Sequence, residues 1–187
     1  MHQKIRNIKF SNSLAKVFAI VTIAVLSGCM GVKNSTGNSA KTLFETFFVG
    51  EDGTQYFIKP LTFEGENKNR LKVDITFRYK DRIKDSAVVN ISFLNAEIYR
   101  SIDSLRMTND SVSVVLKDFK YLFAERMQKE FNSRFSTKGA LADINKLFDK
   151  NDWVLIVYKQ NKQSIYNTPN DTKKKIDKLK YGIFMLF

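Results

Sequence analysis

The sequence predicts an α+β fold: a mainly antiparallel β-sheet or sandwich with one or two C-terminal helices. Three observations carry this. Leu71, Val73, Ile75, Phe77 and Tyr79 alternate with Lys72, Asp74, Thr76 and Arg78, the period of a strand with one wet face. Val89, Ile91 and Phe93 repeat the alternation around Asn90 and Ser92. Past residue 140 the spacing changes, and Leu141, Ile144, Leu147 and Phe148 share one helical face.

The elements follow in chain order. Met30 to Lys41 is small, polar and without periodicity, and reads as a flexible tether. Twelve such residues span about 20 Å as a flexible coil. Leu43 to Val49 and Tyr56 to Ile58 flank Gly50-Glu51-Asp52-Gly53, whose turn chemistry implies a hairpin. The strands over 71–79 and 89–93 are joined by the polar stretch Lys80 to Ser86 and should pair antiparallel. Glu97 to Met107 reads as a further strand of uncertain register.

Asp110 to Ser136 supports two readings. Phe119, Phe123, Met127, Phe131 and Phe135 recur every four residues and could line a helix. That spacing drifts around a 3.6-residue turn, however, and Val112, Val114 and Val115 prefer strands. Strand pieces at 112–116, 120–125 and 130–136, with a turn near Gln128, are the favoured reading. A helix over Ala140 to Asp149 follows, with Ser136 or Thr137 near its start. The continuous apolar run Trp153 to Tyr158 reads as a strand buried on both faces. Pro169 and Asn170-Asp171 then open a second helix, with Ile176, Leu179, Ile183 and Phe187 on one stripe. Gly182 weakens that helix, and a terminal strand from Tyr181 competes with it.

The first residues have the three parts of a secretory signal. Lys4, Arg6, Lys9 and Lys16 precede the apolar run Val17 to Leu26, and small residues Ser27 and Gly28 follow. Ten strongly apolar residues rise only about 15 Å as a helix, half of a roughly 30 Å hydrocarbon core. A permanent membrane span is therefore the weaker reading. Leu26-Ser27-Gly28-Cys29 resembles the lipobox of bacterial lipoproteins. The resemblance covers residues 1–29 and implies that Cys29 carries a diacylglyceryl group and becomes the first residue of the mature protein. Two or three acyl chains then hold the protein to a membrane, where one would hold only marginally. Met30, in place of an Asp, implies delivery to the outer membrane facing the periplasm, with the inner membrane or cell surface as alternatives. The domain layout is thus a signal over 1–28, a lipidated Cys29 with its tether over 29–41, and one globular domain over 42–187.

Composition excludes more than it names. Removing the first 28 residues takes four of 31 basic residues and none of 19 acidic ones, leaving +8. That charge suits an anionic membrane surface or plain solubility; an exported domain is not expected to meet nucleic acid. The only histidine, His2, lies within the signal, and Cys29 is the only cysteine. The mature domain cannot build a Ser-His-Asp triad, an intrachain disulfide or a His/Cys zinc site. No cofactor is implied.

The remaining candidates are modest. Glu51-Asp52 and Glu64-Gly65-Glu66 bring carboxylates together, as acid–base work on a glycosidic bond or calcium ligation would need, but acids beside glycines are ordinary turn residues. Lys173-Lys174-Lys175 could touch lipid phosphates and equally reads as the wet face of a helix. Phe47, Phe48, Tyr56, Phe57 and Phe63 could stack on sugars or line a lipid groove, though aromatics at strand spacing are more often core. Asp85-Ser86-Ala87, Asp103-Ser104-Leu105 and Asp110-Ser111-Val112 look like an Asp-Ser-apolar O-glycosylation signal of one bacterial phylum, which makes Ser86, Ser104 and Ser111 acceptor candidates. Beyond its start, the body is similar to small uncharacterised lipoproteins of AT-rich Gram-negative bacteria in its alternating strands and its Lys, Asn and Phe content. That similarity implies no activity. The expectation is a non-enzymatic binding or structural module of the envelope, with a protein or glycan partner. The alternatives are a basic protein contacting lipid or lipopolysaccharide, and a carboxylate-dependent glycan hydrolase.

Overall fold

The computed structural model describes residues 43–79 and 86–186. The signal, Cys29, the tether, the 80–85 connection and Phe187 lie outside the described residues. Gly37–Phe187 forms a compact unit of its own. The core described below is built from residues 58–184, all within that unit.

Ten strands make one antiparallel sheet: β1 (Phe44–Phe48), β2 (Thr54–Gly65), β3 (Arg70–Tyr79), β4 (Ser86–Asn95), β5 (Ser104–Thr108), β6 (Ser113–Leu116), β7 (Lys120–Met127), β8 (Glu130–Ala140), β9 (Val154–Lys159) and β10 (Lys162–Asn167). The order is β6-β5-β9-β10-β2-β3-β4-β8-β7, with β1 paired to β2 beside this path. The sheet curls into a half-barrel, so the α+β expectation holds in its single-sheet form, and among the described residues there is no second sheet to make a sandwich. Helices α1 (Leu141–Leu147) and α2 (Asn170–Gly182) supply further apolar side chains to the core.

Alternation places the core. Leu71, Val73, Ile75 and Phe77 of β3 and Ala87, Val89, Ile91 and Phe93 of β4 are all buried, their intervening neighbours mostly not. In β2 the inward set runs Tyr56, Ile58, then Leu61, Phe63, because the register with β3 shifts between Ile58 and Leu61. Pro60 sits in that bulge, where a missing N–H does least harm to the ladder. Ile144 and Leu147 of α1 and Ile176 and Leu179 of α2 join the core with no measurable exposure. Each such aliphatic side chain contributes about 1.5–3 kcal/mol by leaving water.

The two ends of the sheet are brought together by a short turn. β6 leads to β7 through Lys117, Asp118 and Phe119, with Asp118 at φ 54°, a left-handed conformation that Asp tolerates better than most residues. The Thr137 hydroxyl of β8 donates to the Lys117 carbonyl at 2.5 Å. Beside it, Leu116 of β6 packs so close to Gly139 of β8 that a Cβ there would lie 2.7 Å from Leu116 Cδ2.

Several expectations change in detail. β9 is buried on one face only: Trp153, Leu155 and Val157 are buried, whereas Val154, Ile156 and Tyr158 are half-buried. Its neighbours β5 and β10 run antiparallel to it, and among the described residues its outer side is only partly covered. The strand expected over 97–107 is only β5, since residues 96–103 cross between β4 and β5 without pairing as a strand. Residues 110–136 resolve as strands, and the turn falls at Gln128, φ 43°. α1 starts at Leu141, because Ser136 and Thr137 belong to β8. Gly182 closes α2, where its low helix propensity costs least, and no terminal strand forms.

Candidate functional site

The paired acids do not make a site together. Glu51 lies in the turn before β2 and Glu64 and Glu66 lie at its far end, twelve strand residues away and all exposed. At about 3.3 Å per residue that separation is roughly 35 Å. Two carboxylates acting on one glycosidic bond stand about 5–9.5 Å apart.

The best-connected acid is one the alternation had placed on the wet face. Asp74 accepts two hydrogen bonds from Arg134 Nη2, at 2.8 and 3.1 Å, and one from Asn90 Nδ2 at 2.8 Å. Arg134 Nη1 reaches Ser92 Oγ at 2.8 Å. The network crosses β3, β4 and β8 on the outer face and uses both carboxylate oxygens of Asp74. A carboxylate so tied stabilises the sheet and has little freedom to act as an acid or base. Among the described residues no group of three His, Cys, Asp or Glu residues could hold a metal ion.

The aromatic group separates. Phe63 is in the core, stacked on Trp153 with centroids 6.2 Å apart, and Tyr56 stacks on Phe77 at 5.1 Å. Phe47, Phe48 and Phe57 face outward at 55%, 81% and 40% exposure, with Phe47 edge-on to Phe57 at 5.5 Å. The β2 bulge and the pleat sort them, so spacing alone could not.

β7 is the end strand beyond β8, and its outer edge pairs with nothing among the described residues. Tyr121, Leu122, Phe123 and Met127 are each about two-fifths exposed along it. A bulge between Tyr121 and Phe123 breaks the alternation, so apolar side chains appear on both faces. Long end strands are usually guarded by charge or covered. Here Lys120 and the pair Glu125-Arg126 flank an uncharged stretch, Tyr121 to Ala124.

Two shallow depressions adjoin the start of β7 and share Lys117. One, of about 500 Å³, is lined by Val88, Lys117, Asp118, Lys120, Leu122, Ser136, Thr137 and Lys138. The other, of about 630 Å³, is lined by Ser104, Arg106, Val115, Lys117 and Tyr158. Arg106 lies 5.7 Å from the Tyr158 ring centroid. Among the described residues Lys117, Lys120 and Lys138 take part in no ion pair. Lys117 and Lys120 are near neighbours in the sequence, the β7–β8 pairing sets Lys138 beside them, and Arg106 arrives from β5. No charge run announced this cluster.

The lysine run that the sequence did announce is less concentrated. Lys173 pairs with Asp152 at 3.0 Å, and Lys180 Nζ donates to the Asp149 carbonyl at 2.9 Å. Lys174 and Lys178 remain exposed on α2. Of the serines, Ser86 and Ser111 are exposed and Ser104 is half-buried at the start of β5. Asp103 accepts a hydrogen bond from the Gln160 amide at 2.8 Å, and the Ser111 amide donates to Asn109 Oδ1 at 2.9 Å. The second is an ordinary turn bond, and the first ties the approach to β5 to the β9–β10 turn. No family model matches the chain, and neither a curated protein nor a solved structure matches it.

Proposed function

We propose that this chain is a lipid-anchored protein of the bacterial envelope, acting as a non-enzymatic binding module. Cys29 would hold it to the outer membrane on the periplasmic side, and β7 would meet a partner protein by adding a strand to the open edge. The single observation that carries the partner reading is the uncovered, apolar edge of β7. A strand pairing there gains main-chain hydrogen bonds, and side chains at alternate positions supply selectivity. Catalysis is left out because Glu51, Glu64 and Glu66 are all exposed and line no depression, and Asp74 is committed to Arg134. A glycan partner for the outward phenylalanines is the lesser reading, since Phe47, Phe48 and Phe57 lie on open strand surface and line neither of the two depressions.

Two measurements test it. Metabolic labelling with palmitate should mark the full chain and should not mark Cys29→Ala; an unlabelled full chain ends the anchor reading. A photocrosslinking residue at Phe123 should trap a discrete envelope protein, while the same residue at Lys162, on β10, should not. Recovery of the free monomer alone from Phe123 would sink the edge-pairing reading.

A further inference from the structure

The basic surface gathered around Lys117 is a docking face for the bilayer itself. We propose that Lys117, Lys120 and Lys138, with Arg106 across the shared rim, seat the phosphates of anionic lipid headgroups. This rests on the envelope reading above only in that a membrane must be at hand. The surface has three properties such contact needs. Its cations are exposed and, among the described residues, unpaired with acids. One acid, Asp118, shares the lining with three lysines, so the local charge is positive. Leu122 and Val115, at 41% and 48% exposure, stand among the cations as apolar contacts for the interfacial layer.

The fold holds this arrangement in place. The Thr137 hydroxyl bonded to the Lys117 carbonyl fixes the β6–β7 turn against β8. Lys138 and Lys120 sit on adjoining strands, with Lys120 opposite Ser136, so two lysines flank the turn that presents the third. Each cation near an anionic surface contributes about 1 kcal/mol, falling off within a Debye length of about 10 Å at 0.1 M salt. Three or four held on one face act together, whereas the lysines of α2 are partly committed to Asp152 and the Asp149 carbonyl. The surface commits to headgroup phosphates in a bilayer; a small free anion would leave Leu122 and Val115 without a role.

The test uses residues 37–187, the compact unit, so that neither signal nor acyl chain can bind lipid. Flotation with vesicles of phosphatidylcholine plus phosphatidylglycerol should carry the protein up, and raising the salt should release it. The triple variant Lys117→Glu/Lys120→Glu/Lys138→Glu should lose at least ~10-fold in partitioning. A matched triple, Lys162→Glu/Lys174→Glu/Lys178→Glu, should stay within about 2-fold of the parent, since its lysines lie off the face. Should the first triple fail to fold, Lys117→Gln/Lys120→Gln/Lys138→Gln, which removes half as much charge, should still lose at least ~10-fold. Equal losses in both triples, no flotation of the parent, or binding of inorganic phosphate without vesicle binding would each overturn the proposal. Palmitate labelling of the full chain is independent of all three outcomes, so the anchor and the docking face stand or fall separately.

Discussion

Tyr166 stands directly across from Gly65 in the β10–β2 ladder, and its ring fills the space a side chain at 65 would need. A Cβ built on Gly65 would lie 2.9 Å from both Cδ1 and Cε1 of that ring and 3.3 Å from the Ile165 carbonyl oxygen. Tyr166 is itself 1% exposed and packs edge-on to Phe93 at 6.3 Å, so it has nowhere to retreat. Gly65→Ala should therefore destabilise the body by about 1–3 kcal/mol, the usual cost of overpacking a filled core. Urea unfolding measures it directly. A change below 0.5 kcal/mol, roughly the scatter of neutral surface substitutions, would mean that the ring moves freely.

Trp153 supplies a second test and the probe for all of them, as it is the only tryptophan in the chain. Its indole N–H donates to the carbonyls of Leu147 and Lys150, at 2.8 and 2.7 Å, closing the C-terminal end of α1. The ring is fully buried against Phe148 and Phe63. Its emission should be blue-shifted in the folded protein and move to the red on unfolding. Trp153→Phe keeps an aromatic ring but removes the indole donor from both carbonyls, leaving Leu147 O to Asn109 Nδ2 and part of the cavity empty. The expected loss is about 2–4 kcal/mol, read from unfolding followed by circular dichroism.

Much of this architecture was legible because strand alternation states which face is wet. β3 and β4 announced themselves through Leu71 to Tyr79 and Val89 to Phe93, and their antiparallel pairing followed from the polar link. β10 gave no such sign. It joins β9 through the two-residue turn Gln160-Asn161, both at positive φ, 48° and 62°. That geometry normally advertises itself by Asn-Gly or Asp-Gly, and here the tertiary pairing of β10 with β9 and β2 enforces it on residues that do not prefer it. The site was less legible still. Asp74 and Arg134 lie 60 residues apart, as strangers in the sequence, and they meet only because β4 lies between β3 and β8. The Lys117 surface is more local, since the β7–β8 pairing brings Lys138 beside Lys120, and only Arg106 comes from a distant strand.

The Asp74–Arg134 contact should prove worth more than the other ion pairs on the surface. Its side chains are 14% and 26% exposed, and Arg134 Nη2 reaches both carboxylate oxygens, with Asn90 and Ser92 completing the network. Asp143–Lys146, one helical turn apart on α1, is 54% and 60% exposed at 3.2 Å. A double-mutant cycle to alanine at Asp74 and Arg134 should return a coupling of about 1–3 kcal/mol, against about 0–0.5 kcal/mol for Asp143 and Lys146. Adding 1 M salt should erase the second coupling and leave most of the first. Equal couplings would show that the outer-face network is no more than a surface ornament of the sheet.

The pH dependence on the alkaline side turns on Tyr166. Burial pushes its phenol up to about 12, the nearby Tyr99 adds to the rise, and a hydrogen bond from Asn95 lowers it somewhat. In the unfolded chain the same phenol titrates near 10. Between those values the unfolded chain has released the proton and the folded one still holds it. The unfolded state then binds fewer protons, so stability falls as pH rises. The contribution is complete below about pH 10 and is lost as the pH climbs through about 12. Tyr56 is shifted in the same direction, again by burial first and by Tyr79 second, and should add to the fall. Every other group is common to parent and variant, so the difference between them isolates the phenol. Tyr166→Phe should lose stability more slowly than the parent from pH 10 upward, in urea unfolding followed by Trp153 emission. If the two curves run parallel through that window, the Tyr166 hydroxyl ionises as easily in the folded body as in water, and its place in the core must be given up.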